Sequence, residues 1–286
     1  MITRGDAFDL LRSAAEKWND HNAPRLGAAL AFYALLSLAP LLILAVGICG
    51  LVFSRSTVEQ NLLIQVEQIA GSYSAGLVKT LIENPHHAKS GIVAGVSAVL
   101  TLFFGASGVF LELRDSLNLI WDAPGRFAGW RGMIWQRLLS FGMVLALGFL
   151  VLASLILSTG FSLVTKFFGD LVPASTVMVG EVSNIAFSFL AISILFALIF
   201  KFVPDAEICW RDVIIGAFMT SVLFNIGQAL LTLYLHTAGV GSAYGAAGSV
   251  VALVVWVYYS AQIFLYGAVL TRVYADRFGS RIIPIA

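Results

Sequence analysis

Six long stretches without a charged residue limit what this chain can fold into. They occupy residues 26–53, 91–111, 138–165, 182–200, 213–235 and 249–271. A helix needs about 20 apolar residues to cross the hydrocarbon core of a bilayer. Because lipid cannot hydrogen-bond an open backbone, we expect each stretch to be helical. The sequence therefore predicts an all-α polytopic membrane protein, with six transmembrane helices in a single domain that spans residues 1–286.

Composition agrees with a surface that faces lipid. Of the 286 residues, 59% are hydrophobic and 12% are charged. A soluble domain has about 25% charged residues, so this chain has too few to cover a water-facing globule. The formal net charge of +1 gives no basic surplus. We therefore expect membrane lipids as partners and no nucleic acid.

The distribution of positive charge predicts the orientation. Thirteen of the 17 lysine and arginine residues fall in the N-terminal segment, the second and fourth loops and the C-terminal tail. Positive residues are enriched on the cytoplasmic side of membrane proteins. We therefore expect both termini to be cytoplasmic in a multi-pass protein of a bacterial inner membrane.

Two segments outside the spans have helical periodicity. Residues 6–22 alternate apolar and charged positions, with Trp18 among the apolar ones. They predict an amphipathic helix that either lies in the membrane interface with Trp18 as its anchor or packs on the cytoplasmic loops. In the external loop, residues 54–90, apolar positions also recur at helical spacing, and Gly71-Ser72 interrupts them. This loop predicts one or two extracytoplasmic amphipathic helices.

Polar side chains inside the spans are the candidate cavity residues. Asn225 and Gln228 lie on the fifth span, and Gln262 and Tyr258 lie on the sixth. Amides in hydrocarbon need partners, so these faces point inward. They either join helices, as polar residues do in membrane bundles, or line a cavity for a solute or lipid headgroup. We expect the three amides to face one polar cavity between the fifth and sixth spans.

The first span carries a proline. Pro40 has no N–H, which frees the carbonyl of Leu36, and Ser37 offers a substitute hydrogen bond. We expect a kink here, with Tyr33, Ser37 and Pro40 forming one wall of the cavity.

The densest charged region follows the second span. Glu112, Arg114, Asp115 and Asn118 lie on a continuation of that helix, and Arg126 comes soon after. They form either an ordinary ion-pair lattice with arginines on lipid phosphate, or the mouth of a cytoplasmic gate or headgroup-binding vestibule.

Motifs for catalysis or cofactor binding are absent from the sequence. His86-His87 has no carboxylate or cysteine at ligand spacing, so we expect no metal site. The glycines of residues 239–245 lack a Walker lysine. We expect neither a cofactor nor an enzyme activity.

Several short motifs are spread over nearly the whole chain. They are Ala28–Tyr33, Leu36–Pro40, Asn118–Trp121 with Arg126, Val203-Pro204, Gly216-Ala217, Tyr244-Gly245 with Gly248, Trp256, and Gly267-Ala268. In these stretches the chain resembles the YihY/BrkB family of bacterial inner-membrane proteins. The resemblance implies six membrane helices and no established biochemical activity. Some relatives carry a ribonuclease label, others a link to serum resistance, and one branch a link to export of lipopolysaccharide precursors.

The functional hypothesis follows from the polar faces and from that last link. We expect a transporter or exporter of a lipid or another amphiphilic substrate. The alternatives are a non-transporting assembly or structural protein of the envelope and, more remotely, a ribonuclease. A ribonuclease would need clustered acids with a metal, or a His/Lys pair, on the cytoplasmic side.

Overall fold

The fold was analysed in a computed structural model that describes residues 4–49, 55–83, 108–123, 189–237, 248–280 and 283–284. These residues are almost entirely helical, as the sequence predicts. The helices are α1 (Arg4–Asp20), α2 (Ala23–Cys49), α3 (Arg55–Glu83), α4 (108–120), α5 (Phe189–Phe202), α6 (Trp210–Thr237) and α7 (Gly248–Phe278). Two short strands, β1 (Ala206–Glu207) and β2 (Ile283–Pro284), pair antiparallel.

Helices α6 and α7 join through a reciprocal glycine–threonine contact. The side chain of Thr271 occupies the space where Gly216 lacks a Cβ, and Thr220 does the same at Gly267. Each threonine hydroxyl donates to the carbonyl of the glycine four residues earlier on its own helix, at 2.7 Å. Small residues at such positions let two membrane helices approach closely. The backbones of α6 and α7 are therefore held in a fixed register.

Helix α7 lies at the centre of the described bundle. It contacts α1, α2, α3 and α6. Buried apolar side chains from α7, including Leu265, Ala268 and Val269, join one continuous core with residues of α1, α2, α4, α5 and α6. In that core Phe196 and Phe200 of α5 lie against Phe264 of α7.

Helix α1 packs on the C-terminal half of α7. Leu10 and Ala14 are buried, and Tyr266 donates its hydroxyl to the carbonyl of Leu11 at 2.9 Å. Trp18 packs against the core. Helix α1 therefore packs on a helix of the bundle, although Phe8 still exposes 68% of its surface, and its position in the membrane interface stays a prediction.

The predicted external loop contains one long helix. Helix α3 continues through Gly71 and Ser72, where the sequence suggested an interruption. It contacts α2, α6 and α7.

Two described helices are long and apolar enough to cross a membrane, Trp210–Leu235 within α6 and Gly248–Phe278. Only 33% and 28% of their most apolar stretches are buried, whereas a core helix of a soluble protein is mostly buried. The outward face of α6 exposes Trp210, Ile214 and Phe218 at helical spacing. An apolar stripe of this length marks a surface that faces lipid or a partner.

The described residues cover the six predicted spans unequally. The spans 213–235 and 249–271 lie wholly within α6 and α7, and 26–49 lies in α2. Shorter apolar helices cover Ala23–Leu38 and Phe189–Phe202. The span 138–165 and most of 91–111 lie outside the described residues.

Candidate functional site

A buried ion pair connects the end of α4 to the segment that follows α5. Arg114 donates from Nε to Asp205 Oδ2 at 3.0 Å and from Nη2 to Oδ1. Asn118 donates from Nδ2 to Oδ2 at 2.9 Å, and its Oδ1 accepts the Asp205 N–H at 2.8 Å. All three residues are buried, with Asp205 only 4% exposed. We call Arg114, Asn118 and Asp205 the polar clamp.

The polar clamp is costly to assemble. Taking an arginine and a carboxylate out of water is repaid only when the geometry is good and further hydrogen bonds satisfy the remaining groups. Here the guanidinium binds the carboxylate through two nitrogens, and Asn118 satisfies both the carboxylate and the backbone N–H of Asp205. Planar two-point recognition of this kind is specific to arginine. The clamp therefore fixes the position of the connecting segment 203–209 against α4.

The C-terminal end of α4 is also attached to α7. Trp121 is 1% exposed and donates its indole N–H to the carbonyl of Ala268 at 3.1 Å. Arg272 donates to the carbonyl of Ile120 at 2.8 Å and pairs with Asp122 at 2.7 Å. Asp122 has a positive φ of 47°, which suits a residue that ends a helix. Arg272 thus binds a free carbonyl at that helix end.

These contacts gather several helix ends at one end of the bundle. Helices α4, α5 and α7 end here, and α6 begins here. Helix α1 lies at the same end, where Lys17 pairs with Asp276 at 3.3 Å and Arg277 donates to Ser13 at 2.7 Å. The polar clamp lies among these ends. We call this the clamped end of the bundle.

Two carboxyls beside the clamp have raised pKa values. Partial burial raises the pKa of Glu112, the nearby charge of Asp115 raises it further, and Arg25 opposes the shift. Partial burial is also the main cause of the raised pKa of Asp115; the positive charge of Arg114 opposes the shift, and the negative charge of Asp205 adds to it. Both groups therefore hold protons more tightly than an exposed carboxyl does.

Tyr33 and Ser37 lie on α2, but they make different contacts from those expected. The ring of Tyr33 fills the space at Gly108 of α4. Ser37 donates to the carbonyl of Ala34 at 3.0 Å, which corrects the expected hydrogen bond to Leu36. A serine on a helix reaches the carbonyls three or four residues before it and not the one directly before. Helix α2 continues through Pro40, whose side chain lies outside the described part, so the kink expected there stays a prediction.

Gln262 and Asn225 make different contacts, and whether the three amides face one cavity stays a prediction. Gln262 donates to the carbonyl of Pro24 at 3.3 Å and lies against Gly27, both on α2. Asn225 is exposed and donates to Ser221 on its own helix. Helix α7 contacts α6 and α2 through different faces, and Gln262 lies on the face toward α2. Whether any of these residues binds a substrate remains a prediction.

Two of those amides carry buried atoms that have no hydrogen-bond partner within the described part of the chain. They are Nε2 of Gln228 and Oε1 of Gln262. Tyr258 is exposed over 37% of its surface, and Arg126 lies outside the described residues.

The polar clamp joins two predicted mouth residues to a third that sequence reasoning missed. Arg114 and Asn118 are among the predicted mouth residues, whereas the sequence pattern did not single out Asp205. The available signal was its position directly after Pro204, in a short segment that follows an apolar span and is predicted to be cytoplasmic. An acid there faces the same end of the bundle as the arginine after the second span.

Comparisons with known proteins give a consistent result. The family model described as virulence factor BrkB matches residues 14–283. The chain is similar to the putative ribonuclease-like protein YfkH of Bacillus subtilis, with 25% identity over 91% of this chain and 93% of that protein. It is also similar to UPF0761 membrane proteins of Ralstonia nicotianae and Pseudomonas paraeruginosa, each at 26% identity. The matches cover 57% and 62% of those two proteins, so the chain spans about three-fifths of their length. No solved structure matches the chain.

Proposed function

We propose that this chain, which belongs to the BrkB family of bacterial membrane proteins, is a six-helix transporter or exporter of a lipid or other amphiphilic substrate. It acts in the inner membrane with both termini in the cytoplasm. In this proposal the clamped end is the cytoplasmic end of the bundle, and the polar clamp is the contact that closes it.

Helix directions support the topology. Helix α4 ends at the clamped end, where α1 and the start of α2 also lie, so the chain between α2 and α4 must leave this end and return. Helix α5 ends there and α6 begins there. Helix α7 ends there after the chain has crossed again. Between two successive segments at the clamped end, the chain therefore crosses the bundle an even number of times. This agrees with the set of cytoplasmic segments that the positive-charge distribution predicts.

The observation that carries the transport proposal is the buried pair between Arg114 and Asp205. Ion pairs buried among membrane helices are expensive and mark functional elements by default. This pair joins the ends of two helices, α4 and α5, that belong to different predicted spans. Because α4 and the segment after α5 separate when the pair breaks, the clamp can hold a closed state against an open one. Alternating access in transporters proceeds largely by rocking or gating of one group of helices against another, and a contact of this kind can hold one of the two states.

The same contacts argue against the ribonuclease alternative, and we propose that the chain is not an enzyme. Asp205 is occupied by Arg114 and Asn118, and Asp212 is 2% exposed and accepts the N–H of Ser280. Acids committed in this way are not available to hold a catalytic metal. A non-transporting assembly protein remains the alternative, in which the clamp only joins helices.

Reconstitution tests the proposal. Proteoliposomes would carry fluorescently labelled lipids with phosphoglycerol, phosphoethanolamine or isoprenyl-phosphate headgroups, and dithionite quenching would report their movement between leaflets. We expect the protein to accelerate at least one probe, and Arg114→Met to change that rate. Arg12→Met is the matched control, because the Arg12–Glu16 pair is exposed at 71% and 63%.

Two results would contradict the proposal. Rates equal to those of empty vesicles for every probe would favour the assembly role. A periplasmic reporter that is active when fused to the C-terminus, or inactive after residue 240, would overturn the topology.

A further inference from the structure

The chain after α7 returns to the segment that carries Asp205. Helix α7 ends at Phe278, and the Gly279 N–H still donates to Ala275 at 3.1 Å. The Ser280 N–H then donates to Asp212 Oδ2 at 2.9 Å. Residues 283–284 form β2, which pairs with β1 so that Ile283 lies opposite Glu207. We call residues 279–280 and 283–284 the tail strap.

Asp212 is the buried anchor of the tail strap. It lies in the first turn of α6, where a negative charge interacts well with the helix dipole. A backbone N–H bound to a carboxylate makes a stronger hydrogen bond than one bound to a neutral acceptor. Gly279 lies so close to the Asp212 carboxylate that a Cβ there would be 2.5 Å from Oδ2. The approach of the strap to α6 therefore needs glycine at this position.

The strap reaches the polar clamp through β1. Strand β1 begins at Ala206, the residue directly after Asp205. Its far side is held by Lys201, which donates to the carbonyl of Ile208 at 2.6 Å. The connecting segment 203–209 is thus held at three successive points: by α4 at Asp205, by the strap at residues 206–207 and by α5 at Ile208.

We infer that the tail strap is a releasable latch on the cytoplasmic gate. It keeps the connecting segment seated so that Asp205 stays on Arg114, and it must detach before the clamp can open. The second half of this inference, that the strap must detach before the clamp can open, rests on the proposed transport function. The first half, that the strap seats the segment, does not depend on transport.

The strength of its parts suits a latch. An isolated pair of two-residue strands is not stable in water on its own. The strap is therefore held mainly by the Asp212 contact and can detach without unfolding α6 or α7. The polar clamp, in contrast, is buried and bonded at four points, so its release needs the neighbouring segment to move.

Hydrogen exchange tests the seating of the segment. The variant Gly279→Ala pushes the strap away from Asp212, and Gly76→Ala is the matched control because nothing lies within 4 Å of a Cβ at Gly76. In lipid nanodiscs, we expect Gly279→Ala to speed amide exchange in residues 205–209 about tenfold. Exchange in the middle of α6 should not change. Unchanged exchange in residues 205–209 would overturn the inference.

A disulfide tests the need for release. Residues opposite each other in an antiparallel pair have Cα atoms about 4.5–5.5 Å apart, which suits a disulfide. The pair Glu207→Cys and Ile283→Cys, with Cys49 and Cys209 changed to serine, would lock the strap. We expect oxidation to lower lipid movement at least fivefold and a reductant to restore it. Oxidised protein that moves lipid at the reduced rate would overturn the latch.

The two arms separate the inference from the proposed function. If the unmodified protein moves no lipid probe, the transport proposal fails, while hydrogen exchange still decides whether the strap seats the segment. If lipid moves in the unmodified protein and also in the locked one, transport stands and the latch fails.

Discussion

Removing Arg114 should destabilise the protein far more than removing an exposed arginine. The side chains of Arg114 and Asp205 are 9% and 6% exposed, and the carboxylate accepts from both Arg114 and Asn118. In Arg114→Met, Asp205 would lose both hydrogen bonds from the guanidinium and would remain a buried negative charge. Breaking a buried pair by removing one partner costs about 3–5 kcal/mol. We expect a loss of this size in the free energy of unfolding.

The double variant gives the sharper result. In Arg114→Met with Asp205→Asn, no buried charge remains, and the amide of residue 205 can still accept from Asn118. The pair of changes should therefore cost less than Arg114→Met alone. The coupling energy between positions 114 and 205 should exceed about 2 kcal/mol, near the upper part of the range for residues in one network.

Steric trapping in bicelles would give the free energy of unfolding for each variant. The control Arg12→Met removes an ion pair that is 71% and 63% exposed, and it should cost less than about 1 kcal/mol. Additive losses at positions 114 and 205 would refute the reasoning. So would a loss for Arg114→Met no larger than that for Arg12→Met.

Three further predictions concern the rest of the bundle. Gly267→Ala places a Cβ against Thr220 of α6 and should lower the free energy of unfolding by about 1–3 kcal/mol in the same trapping assay. The control Gly76→Ala should not lower it. The pKa of Asp115 is raised in the folded state. The folded protein therefore holds a proton that the unfolded chain has released, so the free energy of unfolding falls as pH rises from about 4 through the raised pKa. Asp115→Asn should therefore flatten the decrease in melting temperature over that range and raise the melting temperature at neutral pH; an unchanged profile would contradict this. Gln262→Leu removes one 3.3 Å hydrogen bond and a buried oxygen that has no partner among the described residues. The free energy of unfolding should therefore change by less than about 0.6 kcal/mol. A larger loss would show that the amide does more than join α7 to α2.

Local sequence pattern predicted the helices well where they are described. The fifth and sixth apolar stretches, 213–235 and 249–271, correspond to α6 and α7, which are longer at both ends. The helix at residues 6–22 is observed at Arg4–Asp20. The charge-free stretches end at the first charged residue, here Arg272, although Val273, Tyr274 and Ala275 beyond it are still helical and buried. Helix α7 therefore extends seven residues past the predicted end at Thr271.

The site was less predictable because its contacts are distant in sequence. Arg114 and Asp205 are 91 positions apart, and no local pattern pairs them. The acid could be recognised only by placing both residues at the same end of the bundle. Once the orientation is known, that placement follows from the parity of the spans.

The separate contacts of Asn225 and Gln262 have a geometric reason. Asn225 and Gln262 were assigned to one cavity because their helices are neighbours along the chain. Helix α7 also packs on α2, and Gln262 is directed there. A central helix has several buried faces, so a polar residue on it has several candidate partners, and sequence spacing does not select among them.

The distance between α4 and α5 at the clamped end of the bundle tests the central claim most directly. Spin labels would replace Leu119 on α4 and Phe202 on α5, both exposed, in a variant with Cys49 and Cys209 changed to serine. Double electron–electron resonance would be recorded in bilayers of phosphatidylethanolamine and phosphatidylglycerol. We predict a short distance in the parent protein and a second, longer distance that becomes dominant in Arg114→Met. A single distance that does not change with Arg114→Met would contradict the claim that the polar clamp closes a gate.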